Sequence, residues 1–323
     1  MISLPDFKEK QLLYIRAERG VFNKIKFQND NIVFLKDDAV INRASCHKVF
    51  AVFVLGDITI TSGLMKDGVK HGVSFFFLKD NFESYANFGA VAEGHYLLRM
   101  EQYKLSEERE LAMARKIVAN KVENQCALLK ERKLLRGMYK DREEMFASVE
   151  EANSQDSLRG IEGNASRRFF EEYFGAIAWM RRAPRAKQDI PNFLMDIGYS
   201  MLFNCMDSLL RLYGFDTYKG FYHKLFFQRK SLACDVMEPF RSIIDKQILR
   251  AFNLSQIDKH DFKVEGGRYT IEFEKSRKYA ELFMEAIMEH KEELYNFVQG
   301  LYRNVMNDGK HAFPEFKIGK QTT

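Results

Sequence analysis

The feature that most constrains this chain is a change of hydrophobic period near residue 90. From about residue 10 to 80 the apolar residues come in short runs: Leu12-Leu13-Tyr14-Ile15, Ile25-Lys26-Phe27, Ile32-Val33-Phe34-Leu35 and the continuous stretch Val49 to Leu55. These runs are rich in β-branched and aromatic side chains and read as strands. Asn29-Asp30-Asn31 between two of them is a turn. Val73 to Leu78 is almost wholly apolar, as in a strand covered on both faces. Ser62 to His71 reads as a short helix between strands, and Phe82 to Gly89 as a linker.

From about residue 92 the apolar residues recur at helical spacing, beginning with Leu97, Leu98, Tyr103, Leu105, Leu111, Ile117 and Val118. Further helical stretches are expected at about 140–152, 157–180, 191–213, 231–253 and 275–307. One exception is Phe262 to Ile271, where two alternating runs flank Gly266-Gly267 and predict a hairpin. The fold class is therefore α+β: a small N-terminal β-rich domain (1–88) followed by a larger all-α-helical domain (89–323). A chain of 323 residues is long enough for two unequal domains.

Composition narrows the class further. With 46% hydrophobic and 29% charged residues the chain can bury a sizeable core, which excludes global disorder. Its formal charge of +5 is too mild to name a partner by itself. The cysteines, Cys46, Cys126, Cys205 and Cys234, form no CxxC pair and are expected as free thiols in a reducing compartment. No signal peptide is visible at the N-terminus, and no run approaches the ~18 apolar residues of a membrane span. A cytoplasmic protein with no membrane partner is expected.

Three segments of the helical half hold chemistry-bearing residues. In Leu158-Arg159-Gly160-Ile161-Glu162-Gly163, a carboxylate stands between two glycines. Glycine costs ~1 kcal/mol in a helix interior, so either something approaches the backbone closely or the segment is a glycine-rich helix start with an exposed Glu162. In Gly220-Phe221-Tyr222-His223-Lys224, His223 is either a core histidine or a ligand. In Ser231 to Arg241, Asp235 and Glu238 share a helix face. They form either a solvated acidic face or a cation site. Pro239 blurs the geometry of this segment: it either interrupts a helix interior, where it removes a donor and clashes with an earlier carbonyl, or sits at the first turn of a new helix with Glu238 near its start. An oxygen-rich set with one imidazole suits Mg²⁺ or Mn²⁺ better than closed zinc. Basic residues crowd the same segments. Arg167, Arg168, Arg181, Arg182, Lys224, Arg229 and Arg241 are candidates for phosphate contacts. Tyr173, with Trp179 and Tyr222, is a candidate for stacking on splayed bases.

Taken together, Gly160-Ile161-Glu162-Gly163, Gly220-Phe221-Tyr222-His223 and Leu232-Ala233-Cys234-Asp235-Val236-Met237-Glu238-Pro239-Phe240-Arg241 give a sequence that resembles the CRISPR-associated spacer-acquisition integrases, the Cas-one family, over nearly the whole chain. The resemblance implies a metal held by Glu162, His223 and Glu238, with Asp235 near it in the catalytic set, acting behind a ligand or on the substrate side and not as a ligand itself. Pro239 stands where some members carry a second carboxylate. It also implies an endonuclease and integrase that inserts short DNA fragments (spacers) into a CRISPR repeat array, the fragment's 3′-hydroxyl attacking a phosphodiester. The implied partners are double-stranded and branched DNA, a second copy of the chain bound through the β-domain as a homodimer, and a small second adaptation protein bridging two dimers. Two alternatives remain at this stage: a structure-specific nuclease for branched DNA, and a non-catalytic nucleic-acid-binding scaffold.

Overall fold

The computed structural model describes residues 3–319 except 80, 81, 90, 91, 93, 94, 178 and 225. In chain order the N-terminal elements are α1 (Leu4–Lys8), β1 (Gln11–Arg16), β2 (Asn23–Gln28), β3 (Asn31–Lys36), β4 (Ala39–Ser45), β5 (Val49–Leu55), β6 (Thr59–Ile60), α2 (Ser62–Lys70), β7 (Ser74–Leu78) and β8 (Ser84–Phe88). They make two four-stranded sheets, ordered β1-β5-β7-β8 and β4-β3-β2-β6. Asn29 and Asp30, with φ of 50° and 54°, give β2 and β3 the turn their antiparallel register needs.

Every residue of β5 and of β7 is buried. The reason is two-sided packing. Val52, Val54, Phe75 and Phe77 face Ile25, Ile32, Phe34 of the second sheet and Leu64 of α2. Their sequence neighbours Ala51, Phe53, Leu55, Phe76 and Leu78 join the core shared with the helices. Each large apolar side chain so buried contributes about 1.5–3 kcal/mol, which is why these runs do not alternate with polar residues.

The remaining elements are α3 (Tyr96–Tyr103), α4 (Glu107–Glu131), α5 (Arg142–Glu151), α6 (Gln155–Tyr173), α7 (Ile190–Tyr213), α8 (Ser231–Met237), a 3₁₀ turn (Glu238–Phe240), α9 (Arg241–Asn253), the hairpin β9 (Phe262–Glu265) and β10 (Arg268–Ile271), α10 (Ser276–Glu289) and α11 (Lys291–Met306). At the centre, α7 is buried on nearly all sides. Its sequence supplies both ends: the Asp189 side chain accepts from the Asn192 N–H, Pro191 stands in the first turn, and Gly214 closes the helix at φ 94°. The two halves are joined by α1 and β1. Phe7 stacks on Tyr295 at 5.2 Å, and the Tyr14 hydroxyl donates to Ser276 Oγ at 3.1 Å.

The α+β class read from the sequence agrees with this architecture. Several finer readings are corrected. The stretch read as a linker forms β8, because its backbone pairs with β7 and Phe88 stacks on Phe75 at 4.6 Å. The helix read to residue 180 ends at Tyr173. Phe174 leaves helical geometry at φ −98° and ψ 3°, a turn follows it, and residue 178 lies outside the described residues. The stretch 275–307 is two helices broken at His290. All four cysteines are free thiols.

Candidate active site

Four elements converge on the acids singled out in the sequence: α4, α6, the loop 219–230, and the α8 to α9 junction. That junction is set by Pro239. It sits in the first turn of the 3₁₀ segment, where its missing N–H costs nothing, and the chain restarts as α9 at Arg241. The turn thereby points Glu238 inward, 4% exposed.

Glu162 and Glu238 meet at a single position, and a cation fills it. The Lys121 ammonium, on α4, donates to Glu238 Oε2 at 2.7 Å and pairs with Glu162 Oε1. Glu162 Oε1 also accepts from Ser166 Oγ at 2.8 Å, one helical turn on. Arg241 Nε stands 2.9 Å from Glu238 Oε2. Burial pushes the Glu238 carboxyl up, but Arg241 and Lys121 outweigh it and hold the group at about 2. Burial opposes the charge on Lys121, yet Glu162 and Glu238 raise its pKa above the ordinary lysine value.

Asp235 is wholly buried and does different work. Its Oδ2 accepts from the N–H groups of Phe221 (2.8 Å) and Tyr222 (2.9 Å), and its Oδ1 from the His223 N–H (2.9 Å) and ring Nδ1 (2.6 Å). A carboxylate can only accept, so Nδ1 carries the proton and, in the neutral ring, Nε2 is the nitrogen left to bind something else. Gly220 is required for this grip. A Cβ there would lie 2.6 Å from Asp235 Oδ2 and 2.9 Å from the Ser231 backbone carbon. The resemblance implied a role for Asp235 near the metal but outside its ligands; in the structure Asp235 holds the backbone and ring of the His223 loop.

The glycines beside Glu162 are exposed: a Cβ at Gly160 or Gly163 would meet nothing within 4 Å among the described residues. They leave an open strip on α6 at the level of Glu162. Close by, the buried Tyr222 hydroxyl has no hydrogen-bond partner among the described residues; burial raises its pKa, and Glu162 and Glu238 add to the rise. A ligand with polar atoms in this space would relieve it.

Two carboxylates on one cation position, a free imidazole nitrogen and an unpartnered hydroxyl form a donor set that fits a hard divalent cation. Their spacing is not yet that of ligands. Among the described residues, the only His, Cys, Asp or Glu triad whose ligand atoms lie within 4.8 Å of one another is Cys46, His47 and His71, at the other end of the molecule's sequence.

The basic and aromatic candidates divide. Tyr173 is 4% exposed and stacked on Phe169 at 4.9 Å, so it belongs to the core and offers no face to a base. Trp179 packs on Phe174 and Tyr222 is buried. Arg182 is tied to Asp196 at 3.0 Å and Arg241 to Glu238. Arg168 pairs with Asp141 at 2.6 Å. Arg167 lies exposed on α6 beside Glu171, Arg181 is exposed, Lys224 is exposed near Asp156, and Arg229 donates to the Lys224 carbonyl. Sequence reasoning missed three participants. Lys121 gave no signal, being one lysine among many on a long helix. Phe226 and Phe227 are 70% and 83% exposed beside His223, between Lys224 and Arg229. The signal available for them was two adjacent aromatics inside a basic loop.

Comparison with known proteins adds the family. A family model described as CRISPR associated protein Cas1 matches residues 19–285. A CRISPR-associated endonuclease Cas1 of Thermodesulfovibrio yellowstonii is 26% identical over 273 residues, covering 80% of this chain and 86% of the relative. A casposase bound to integration product has the same fold at a TM-score of 0.82 and 17% identity, covering 97% of this chain and 96% of that one. The chain in a Cas6-RT-Cas1–Cas2 complex matches at 0.80 and 24% identity, covering 97% of this chain and 36% of that one.

Proposed function

This chain belongs to the Cas1 family of CRISPR-associated proteins, and from that premise we propose that it is a divalent-metal-dependent DNA integrase acting in CRISPR adaptation. The observation that carries the reading is the pair Glu162 and Glu238, aimed from two helices at one cation position. A buried carboxylate and a half-buried one so placed demand a positive charge. Glu162, Glu238 and His223 Nε2 would hold Mg²⁺ or Mn²⁺. Such an ion supplies charge stabilisation at a phosphoryl oxygen and favours the attacking hydroxyl's ionised form.

The chain's own residues account for the rest. Asp235 fixes the ring and backbone of His223, so the imidazole is presented with its proton on Nδ1. Lys121 holds the two glutamates together, and a divalent ion held by Glu162, Glu238 and His223 would take over the charge its ammonium supplies. Arg241 stays against Glu238 and offsets its charge. The open strip at Gly160 and Gly163 admits a DNA backbone alongside Glu162. Exposed Lys224, with Arg167 and Arg181, neutralises phosphates, while Phe226 and Phe227 offer faces for unpaired bases. In the reaction the fragment's 3′-oxygen bonds to phosphorus, the bond to the repeat strand's oxygen breaks, the attacking hydroxyl loses its proton, and the displaced oxygen takes one up.

Integration needs two attacks, which supports a homodimer through the 1–88 segment and a second adaptation protein holding two dimers. A protein of the same fold is found in a Cas6-RT-Cas1–Cas2 complex, which supports a second adaptation protein as partner. Among the described residues no helix is long and apolar enough to cross a membrane, and the proposed work belongs in the cytoplasm with the DNA.

The test is strand transfer of a labelled fragment into a repeat substrate in Mn²⁺. Glu162→Ala, His223→Ala and Glu238→Ala should abolish joined products while duplex binding persists. Normal joining by any of them would refute the ligand set. The curated relative's name, endonuclease, favours a second reading, hydrolysis of branched DNA. Hydrolysed ends without joined products would select it.

A further inference from the structure

Three connecting turns of the N-terminal sheets meet at one spot. The β4–β5 turn brings Cys46 and His47, the C-terminal end of α2 brings His71, and the β2–β3 turn brings Asp30. The Cys46 thiol and the two imidazoles place ligand atoms within 4.8 Å of one another. The His47 and His71 rings stand at 86° to each other with centroids 4.9 Å apart. Asp30 Oδ1 lies 3.7 Å from His71 Nε2. The backbone locks the arrangement, since the Cys46 N–H donates to the Asp30 carbonyl at 3.0 Å, and Phe27 stacks on His71 at 5.5 Å.

We propose that Cys46, His47, His71 and Asp30 form a structural zinc-class site, separate from the active site. The chemistry decides the metal. One thiolate and two imidazoles are soft to borderline donors, suited to Zn²⁺ and poorly suited to Mg²⁺. Adjacent ligands on tetrahedral zinc lie roughly 3.3–3.6 Å apart, as bond lengths of about 2.0–2.3 Å require. The three ligand atoms, within 4.8 Å of one another, would close to that by about an ångström, and the exposed His47 side chain has solvent on one side to move into. Cys46 lies at the buried end of the cluster. Lys10 Nζ donates to the Cys46 carbonyl at 3.4 Å. The bound ion would pin three turns that otherwise depend on two short sheets, one edge of which, β4, is mostly exposed.

The experiment uses the full chain, stripped with chelator and titrated with Co²⁺ in excess Mg²⁺. The expected result is one equivalent of Co²⁺ bound with a thiolate-to-cobalt charge-transfer band, displaced by one equivalent of Zn²⁺. Cys46→Ser should remove the band and Cys234→Ser should leave it, although Cys234 lies nearer the catalytic acids. His47→Ala changes an exposed side chain, so it folds, and should weaken Co²⁺ binding at least about tenfold, no less than the loss of an outer-shell partner. The proposal is overturned if the wild type gives no thiolate band, if the band survives Cys46→Ser, or if His47→Ala binds Co²⁺ like the wild type.

Discussion

Asp235→Asn keeps the shape of the side chain and removes one acceptor, so its cost can be worked from the four bonds the carboxylate now accepts. An amide offers one oxygen and one NH₂ group. If the NH₂ faces Phe221 and Tyr222, two charge-assisted bonds are replaced by opposed donors. At about 1.5–3 kcal/mol each, that costs roughly 3–6 kcal/mol. If it faces His223 instead, only the His223 backbone N–H loses its acceptor, at about 1.5–3 kcal/mol, because Nδ1 can accept from the NH₂ by moving its proton to Nε2. The second arrangement is cheaper and is the one expected. It puts the proton on the nitrogen that the proposed metal needs. The variant should therefore fold, melt about 3–12 °C lower at about 2–4 °C per kcal/mol, and bind Mn²⁺ about 10–100-fold more weakly. Denaturation, Mn²⁺ calorimetry and strand transfer across Mn²⁺ concentrations read the three quantities, and excess Mn²⁺ should recover part of the joining. Lower stability with unchanged Mn²⁺ affinity would mean that Asp235 only staples the loop, and the tautomer argument would be refuted.

Further outcomes follow from the same geometry. Lys121→Met leaves Glu162 and Glu238 without their ammonium, which should cost about 3–5 kcal/mol in metal-free protein. Thermal melts should show Mn²⁺ stabilising this variant more than the wild type; an equal or smaller shift would count against a shared cation position. Burial raises the Asp245 carboxyl from 3.8 to about 7, despite its 2.5 Å bond from Tyr199. A raised acid contributes stability that is whole below the unfolded value and lost as pH rises through the folded one, so up to about 4 kcal/mol should drain away between about pH 4 and 7. Asp245→Asn should flatten that slope in urea midpoints measured against pH, and an unchanged slope would refute the assignment. Phe316 is 2% exposed, stacks on Phe240 of the Glu238 turn at 4.4 Å, and belongs to a segment tied down by Asn120 and Asn124. Phe316→Ala should cost about 3–5 kcal/mol in denaturation and lower strand transfer in the folded protein.

What the sequence disclosed here, and what it hid, follows from the range of the interactions. The continuous runs of β5 and β7 announced strands covered on both faces, because two-sided burial leaves no position for a polar residue. β8 was hidden because its stretch gains strand form only from pairing with β7. The same distinction runs through the site. Glu162 stood out because two glycines flank it, and His223 because aromatic and basic residues surround it; the structure adds open space at Gly160 and Gly163 and the Asp235 carboxylate pressed on Gly220. Lys121 could not stand out. A lysine on a solvated helix face and one sealed between two carboxylates read alike, and the difference lies in residues 41 and 117 positions away. Tyr173 erred in the other direction, since an aromatic among arginines reads as a stacking platform until its ring is found on Phe169. Asp235 and Glu238, three residues apart, suggested one acidic face needing one cation. They separate because Pro239 ends α8 at Met237, leaving Asp235 to the loop's N–H groups and turning Glu238 to Lys121 and Arg241. A proline that seemed to blur the motif is thus what divides its two acids between holding the histidine and meeting the cation.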